Sequence, residues 1–459
     1  MQKLFFYIIL GLIFPGICQG QNLPDSVTVE LERVIAGFKD RYPSPSISVA
    51  IVHNKDIIFS QSLGYADMDS KTPAGINSKY PILSITKAFT ATMFMQLKER
   101  GAVSLDDDVT RYMPELKGSK TGITSLLQLA THTSGLPRNT QADIHFAERA
   151  DRWMATGTGD STLSMSTKEE FLQSLKFIET EYPKYQLRGY GDRRYSNLGY
   201  SILGIALERA ADSDFAAHII NNICKPLGMN NTGFVDEPKI QSSIVKGYRY
   251  DDNSKSFVET PVFVPNSALY AGGMYSTAAD LAKFISFQFT DNSAILSDNH
   301  KAMMQTFNIG WKPSYPFVLH EGSMLGHRSF IAFNTELKIG WVILTNTTDF
   351  EFSQMHDAVN KLITPLYNSK VAFDINELAG TYELVGGYGS LEIYIKDGNL
   401  YSTYLQDIFP DCPLSPQGYN RFSVKGKAAY SIGYDFIRDV SGRIVLNLGQ
   451  LMWVKNSQP

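Results

Sequence analysis

The 459-residue chain is 43% hydrophobic, 12% aromatic and 19% charged, a composition that excludes disordered, collagen-like and coiled-coil architectures. Its 42 Lys and Arg against 46 Asp and Glu leave a formal charge of -4 and no basic run able to track a phosphate backbone, so nucleic acid is not expected as a partner. The three cysteines, Cys18, Cys224 and Cys412, are too scattered for a disulfide scaffold or a four-ligand zinc site, and no metal or cofactor is expected.

Residues 1–20 place Lys3 ahead of an apolar stretch from Leu4 to Ile17, then Cys18 and Gly20 as small residues suited to cleavage before Gln21. The stretch is shorter than the roughly 20 residues of a spanning helix and is broken by Pro15 and Gly16, so it reads as a signal peptide. Lipid attachment at Cys18 is a weaker reading, because Ile17 stands where such sites want Gly or Ala. No later segment is long and apolar enough to anchor the chain, so the mature protein is expected to be exported, periplasmic or secreted, without a stable membrane anchor. Cys224 and Cys412 then read as free and buried rather than bridged.

Residues 26–40 pattern as an amphipathic helix, 46–52 and 56–64 as a strand hairpin, and 84–100 as a long helix closed by Gly101. Residues 138–188 break the helical texture and read as an inserted lid or rim over a site. Further helices fit 124–132, 168–178, 198–211, 214–227 and 276–289, strand patterns return at 316–322, 328–334 and 339–346, and a helix-like stretch follows at 352–364. Strands at both sequence ends with helices between predict one sheet that joins the two ends and packs on a helical region. After Asn368 the texture changes to short alternating strands, which divides the mature chain into residues 21–368 and a β-rich module, 369–459, of small-barrel or sandwich type.

Three short motifs could carry chemistry. Ser84 and Lys87 form Ser-x-x-Lys at the start of the long helix, where i and i+3 share a face and the helix N-terminus favours an attacking alkoxide. A serine hydroxyl needs a neighbouring base, and lysine can serve only if burial or nearby cations lower its pKa. The same pattern recurs at Ser243 and Lys246, in a strand-like segment where i and i+3 point to opposite faces. Tyr195-Ser196-Asn197 opens a second helix, where a phenol could pass a proton onward and an amide could bind Lys87 and a substrate carbonyl. His320-Glu321-Gly322-Ser323 ends an apolar strand. Gly322 there would let a substrate lie along the strand edge, and the Ser323 backbone N–H could pair with that of Ser84 as an oxyanion hole.

The ordered set SITK, YSN and HEG resembles the serine β-lactamase and penicillin-binding-protein-like hydrolases, most nearly the class C β-lactamase-related branch of esterases and D-amino-acid peptidases. LLQLATHTSGLPR (126–138), CKPLGMNNTGF (224–234), YAGGMYSTAADLAKF (270–284) and GWVILTNTTD (340–349) resemble that branch's framework segments. The resemblance implies an α/β (α+β) fold, an antiparallel sheet flanked by helices with the site between them. It also implies that Ser84 is the acylated nucleophile, Lys87 and Tyr195 the proton-transfer pair, Asn197 the substrate-positioning amide, His320 the third-motif basic position and Ser323 the second oxyanion donor. His132, Ser276 and Thr277 match as framework residues.

Glu321 departs from the pattern, since the resembling proteins usually carry Thr or Ser there to meet a substrate anion. An acid would repel a carboxylate unless Arg328 neutralises it, which favours a neutral ester or amide, or an amine-bearing substrate. The expected activity is an exported serine hydrolase cleaving an ester or amide of a small molecule or peptide through a Ser84 acyl-enzyme. A β-lactamase or D,D-peptidase is the alternative, and a non-catalytic binding or sensor protein on the same fold is a second.

Overall fold

The computed structural model describes residues 23–178, 195–236, 240–314, 316–367, 374–385, 389–404, 413–418, 421–424, 433–438, 442–448 and 451–456. The readings of residues 1–20, of Cys412 and of residues 179–188 lie outside the described residues.

Seven strands form one antiparallel sheet, in the order Lys312–Ser314, Phe317–Met324, His327–Asn334, Ile339–Thr345, Ser46–His53, Asp56–Asp67 and Thr72–Pro73. The centre of the sheet joins the two ends of the sequence, with Ile47 opposite Thr345 and Val52 opposite Gly340. Every residue of Ile339–Thr345 is buried, because both faces of the sheet are covered. The period of two sorts the side chains. Ala50, Val52, Val342 and Leu344 face the helical region, whereas Ile47, Val49, Ile51, Trp341 and Ile343 pack on the opposite side against Leu31 and Ile35 of helix Asp25–Arg41 and Met355, Val359 and Ile363 of helix Phe352–Tyr367. Among the described residues no helix is long and apolar enough to cross a membrane.

Several predicted elements change in detail. The run from Ser84 begins as a 3-10 turn, Leu83–Ile85, and becomes α-helix only over Thr86–Glu99. The 124–132 helix is one short turn, Leu126–Ala130, capped reciprocally by Ser125 and Gln128. The 168–178 helix tightens to 3-10 after Ser174, and the 214–227 helix widens to a π-helical turn over Ile220–Cys224, which buries the free Cys224. The described part of the 138–188 insertion, up to residue 178, is more ordered than its polar composition suggests. It holds the 16-residue helix Gln141–Thr156, capped by Thr140, and the strand Thr162–Ser164, which pairs in parallel with Val262–Val264. Phe146, Ala150, Leu163 and Met165 form a small separate core there with Ala268 and Leu325. Ser243 closes a 3-10 turn, Gln241–Ser243, in place of the expected strand.

The C-terminal strands, from Gly380–Leu384 to Leu451–Lys455, follow one another around a closed barrel, and its first and last strands pair through Tyr382 and Lys455. Inward residues such as Leu391, Ile393, Phe436, Leu446 and Trp453 fill its interior.

Candidate active site

Helix Thr86–Glu99 is buried from Thr86 to Leu97, so its polar side chains must find partners inside the protein. Thr90 Oγ1 donates to the Tyr270 carbonyl at 2.6 Å, and Thr86 Oγ1 accepts from the Met274 N–H at 3.1 Å. Lys87 is fully buried too, and its Nζ donates to Ala271 O at 2.8 Å, Asn197 Oδ1 at 2.9 Å and Ser84 Oγ at 3.3 Å. Burial first, then the charges of Arg138 and Lys312, holds the Lys87 pKa well below the ordinary lysine range. The backbone just before Ser84 is unusual: Leu83 stands at φ 52°, a left-handed conformation that a bulky residue holds only where its surroundings impose it.

Those surroundings are the strand Phe317–Met324. A Cβ at Gly322 would lie 2.6 Å from Ile82 O and 2.8 Å from Leu83 Cβ, so only glycine lets the strand run against the Ser84 turn. Ser329 Oγ, from the neighbouring strand, donates to the same Ile82 carbonyl at 2.7 Å. Ser323 follows Gly322 and is exposed, one step past this contact.

The second motif is fixed by the cap of helix Asn197–Ala211. Ser196 accepts from the Gly199 N–H at 2.8 Å and donates to Pro137 O at 2.6 Å, while the Asn197 and Leu198 N–H groups donate to Arg138 O at 2.9 and 3.1 Å. Asn197 therefore reaches Lys87 with its oxygen and donates its amide N–H to Asn139 Oδ1 at 3.0 Å. Tyr195 lies over the same lysine, with its ring centroid 4.7 Å from Lys87 Nζ.

Two histidines close the cluster. His132 accepts the Ser196 N–H on Nδ1 at 3.1 Å and lies 4.5 Å from the Tyr195 ring, in keeping with its framework assignment. His320 donates from Nδ1 to Glu321 O at 2.9 Å, and its ring faces Tyr195 at 6.5 Å. Burial, reinforced by Lys87 and Lys312, pushes both imidazoles well below their usual pKa, so both are neutral. At the third-motif basic position the His320 imidazole is thus held toward its neutral form.

Two further basic residues that the motifs do not mark reach the site, the exposed Arg138 and the half-buried Lys312. Lys312 Nζ and the Arg138 guanidinium lie 5.5 and 5.2 Å from the Tyr195 ring centroid. Lys312 reaches the site because it pairs with Leu319, next to His320, and its ammonium meets Glu321 Oε1 at 3.0 Å. Arg328 stands 4.0 Å from the other carboxylate oxygen. Glu321 is thus matched mainly by Lys312, with Arg328, the neutralising partner suggested by the sequence, farther off. Thr277 caps the following helix by accepting the Asp280 N–H, whereas Ser276 ends a strand and bonds Thr232. Among the described residues no group of three or more His, Cys, Asp and Glu side chains comes together to hold a metal ion.

The arrangement can deprotonate a hydroxyl, stabilise developing negative charge and return a proton across a short span. The profile of the Beta-lactamase family matches residues 31–364. "Beta-lactamase-like protein 2" of Dictyostelium discoideum is 27% identical over 362 residues, an alignment that covers 74% of this chain but only 61% of that protein. "Protein flp" of Staphylococcus aureus is 25% identical over 373 residues, covering 78% of this chain and 70% of the relative. In fold, the chain is similar to the octameric penicillin-binding protein homologue from Pyrococcus abyssi, with a TM-score of 0.62, 24% identity and coverage of 93% and 99% of the two chains. A class C beta-lactamase gives a TM-score of 0.60 at 20% identity, over 75% of this chain and 98% of that one. D-alanine carboxypeptidase AmpC from Burkholderia cenocepacia gives 0.58 at 20%, over 74% and 99%.

Proposed function

Because the chain belongs to the Beta-lactamase family, we propose that it is an exported serine hydrolase that cleaves an ester or amide through an acyl-enzyme on Ser84, of the esterase or D-amino-acid-peptidase type. One observation carries the reading: a fully buried Lys87 Nζ 3.3 Å from Ser84 Oγ, with its pKa depressed by burial. In the neutral form that lysine takes the Ser84 proton as Oγ attacks the carbonyl carbon. The new oxyanion is received by the Ser84 and Ser323 N–H groups. Tyr195 relays the proton to the leaving oxygen or nitrogen as the bond to carbon breaks, and Asn197 holds both Lys87 and the substrate amide or ester. Water then hydrolyses the acyl group by the reverse proton path.

A carboxylate-bearing substrate, a β-lactam or a D,D-peptide, is the second reading, and it is favoured by the match of Glu321 to Lys312, which removes the repulsion an unpaired acid would exert. The test is labelling of the full-length protein with a fluorophosphonate and mapping of the adduct, beside a screen of p-nitrophenyl esters, D- and L-aminoacyl anilides and a chromogenic cephalosporin. An adduct on Ser84 supports the hydrolase. No adduct and no turnover on any substrate would leave only a binding protein on this fold.

A further inference from the structure

Three basic side chains meet at the ring of Tyr195, at 4.7 Å for Lys87, 5.2 Å for Arg138 and 5.5 Å for Lys312, and they differ in what controls them. Lys87 is buried and occupied by three acceptors. Arg138 is exposed, and no carboxylate among the described residues pairs with it. Lys312 is the one whose charge is metered, because Glu321 sits 3.0 Å from its ammonium. The edge strand Lys312–Ser314 fixes the lysine by register, so its place does not depend on the ion pair alone. The strand's own histidine cannot substitute, since His320 is buried and spends Nδ1 on a backbone carbonyl.

We infer that Lys312 is a positioning residue that sets the positive field over the Lys87 and Tyr195 protons, and that Glu321 attenuates this field without being a ligand for substrate. The inference rests on the reading of Ser84 as nucleophile. The Lys312 charge, on the same Tyr195 ring as Lys87 Nζ, favours the neutral amine of Lys87 over its ammonium, and favours negative charge on the phenol oxygen as it forms. Glu321 works in the opposite sense. The other groups facing the pair are His132 and Arg138 from the loop after Leu126–Ala130, Tyr200 one turn into the Asn197 helix, and His320 on the strand; Arg328 stands behind Glu321. The two imidazoles carry no charge, so they leave the field to the arginines and the Lys312–Glu321 pair.

The measurement is the rate of fluorophosphonate labelling of the full-length protein as a function of pH. Labelling requires neutral Lys87, so it falls as pH drops through the Lys87 pKa. Lys312→Met removes a charge that lowers that pKa, so the acid limb moves to higher pH and labelling near pH 7 drops about tenfold. Lys312→Arg keeps the charge and restores the wild-type limb. Glu321→Gln removes the attenuator, and the limb moves to lower pH. A merely structural ion pair loses the same thing whichever partner is removed, so movement of both limbs in one direction, or no movement in Lys312→Met, overturns the inference. Should Lys312→Met fail to fold by thermal melting, Lys312→Gln replaces it. Ser84→Ala separates the two layers: if it labels as fast as wild type, the nucleophile reading falls, whereas a dead Ser84→Ala beside an unmoved Lys312→Met limb sinks the Lys312 inference alone.

Discussion

Two segments of this chain spell Ser-x-x-Lys, and the protein treats them in opposite ways. Lys87 is shielded from solvent among carbonyl and amide oxygens with cations beyond them, and its pKa is driven down. Lys246 keeps 36% of its side chain exposed, meets Glu259 at 2.9 Å and Asp67 at 3.4 Å, and has its pKa driven up, first by the Glu259 hydrogen bond. Ser243 closes an exposed turn and donates to its own Ile240 carbonyl at 2.9 Å, whereas Ser84 follows a left-handed residue clamped under a glycine strand. Reactivity therefore belongs to the surroundings of the pair. A lysine ringed by carboxylates holds its proton, and one ringed by oxygen dipoles and distant cations gives it up.

The contrast can be broken most sharply at the serines. Ser84→Ala is expected to abolish labelling and turnover with the fold intact, since it removes no apolar group, while Ser243→Ala leaves both unchanged; equal damage from the two in folded protein would sink the assignment. Next come Lys87→Ala and Tyr195→Phe, each expected to slow acylation by roughly 10²–10⁴-fold in single-turnover kinetics. Near-normal kcat in Tyr195→Phe alone would leave lysine as the sole base. The pH profile should follow the same difference in sign. Activity set by a lysine of depressed pKa persists well below the ordinary lysine range and falls only as acid protonates Lys87, and an acid limb near pH 10 would contradict the burial argument.

Smaller effects sharpen the comparison further out. Glu321→Thr, by removing a half-exposed negative charge, should raise kcat/KM for an anionic substrate relative to its neutral twin by about three- to tenfold. An unchanged ratio would place that carboxylate outside the substrate's reach. A chain ending at residue 368 should still label at Ser84, because every residue of the cluster precedes the barrel; a folded but unlabelled product would show that the barrel completes the site. Lys246→Ala, at an exposed pair, should cost at most about 1 kcal/mol in a denaturant melt.

The sequence carried the cluster wherever residue type and short spacing suffice. Ser84 with Lys87, Tyr195 with Asn197, and Gly322 each stand in a local pattern whose reason is local: a helix start, a cap, a close approach. Lys312 and Arg138 carry no such pattern. Lys312 matters because strand register puts it opposite Leu319, and Arg138 because its carbonyl caps another helix. Register and capping across a fold are long-range facts. The neutrality of His320 is likewise a property of burial, which spacing does not report. Helix Gln141–Thr156 had a readable signal in Phe146, Ala150 and Trp153 at i, i+4 and i+7, all buried, but the surrounding polar and glycine residues masked it.

The way the central sheet is closed also governs how the protein can be made. Ser46–His53 pairs on one edge with the nearby Asp56–Asp67 but on the other only with Ile339–Thr345, and Ser46 N–H reaches Asn346 across 300 residues of sequence. During synthesis this strand must therefore wait, paired on a single edge, until nearly three quarters of the polypeptide has emerged. Contacts of such separation form late and slowly, and a half-made sheet with an open apolar edge is prone to aggregate. A ribosome stalled before residue 339 would hold a chain that cannot finish its core, and the open edge of the early strand is the cost of this topology.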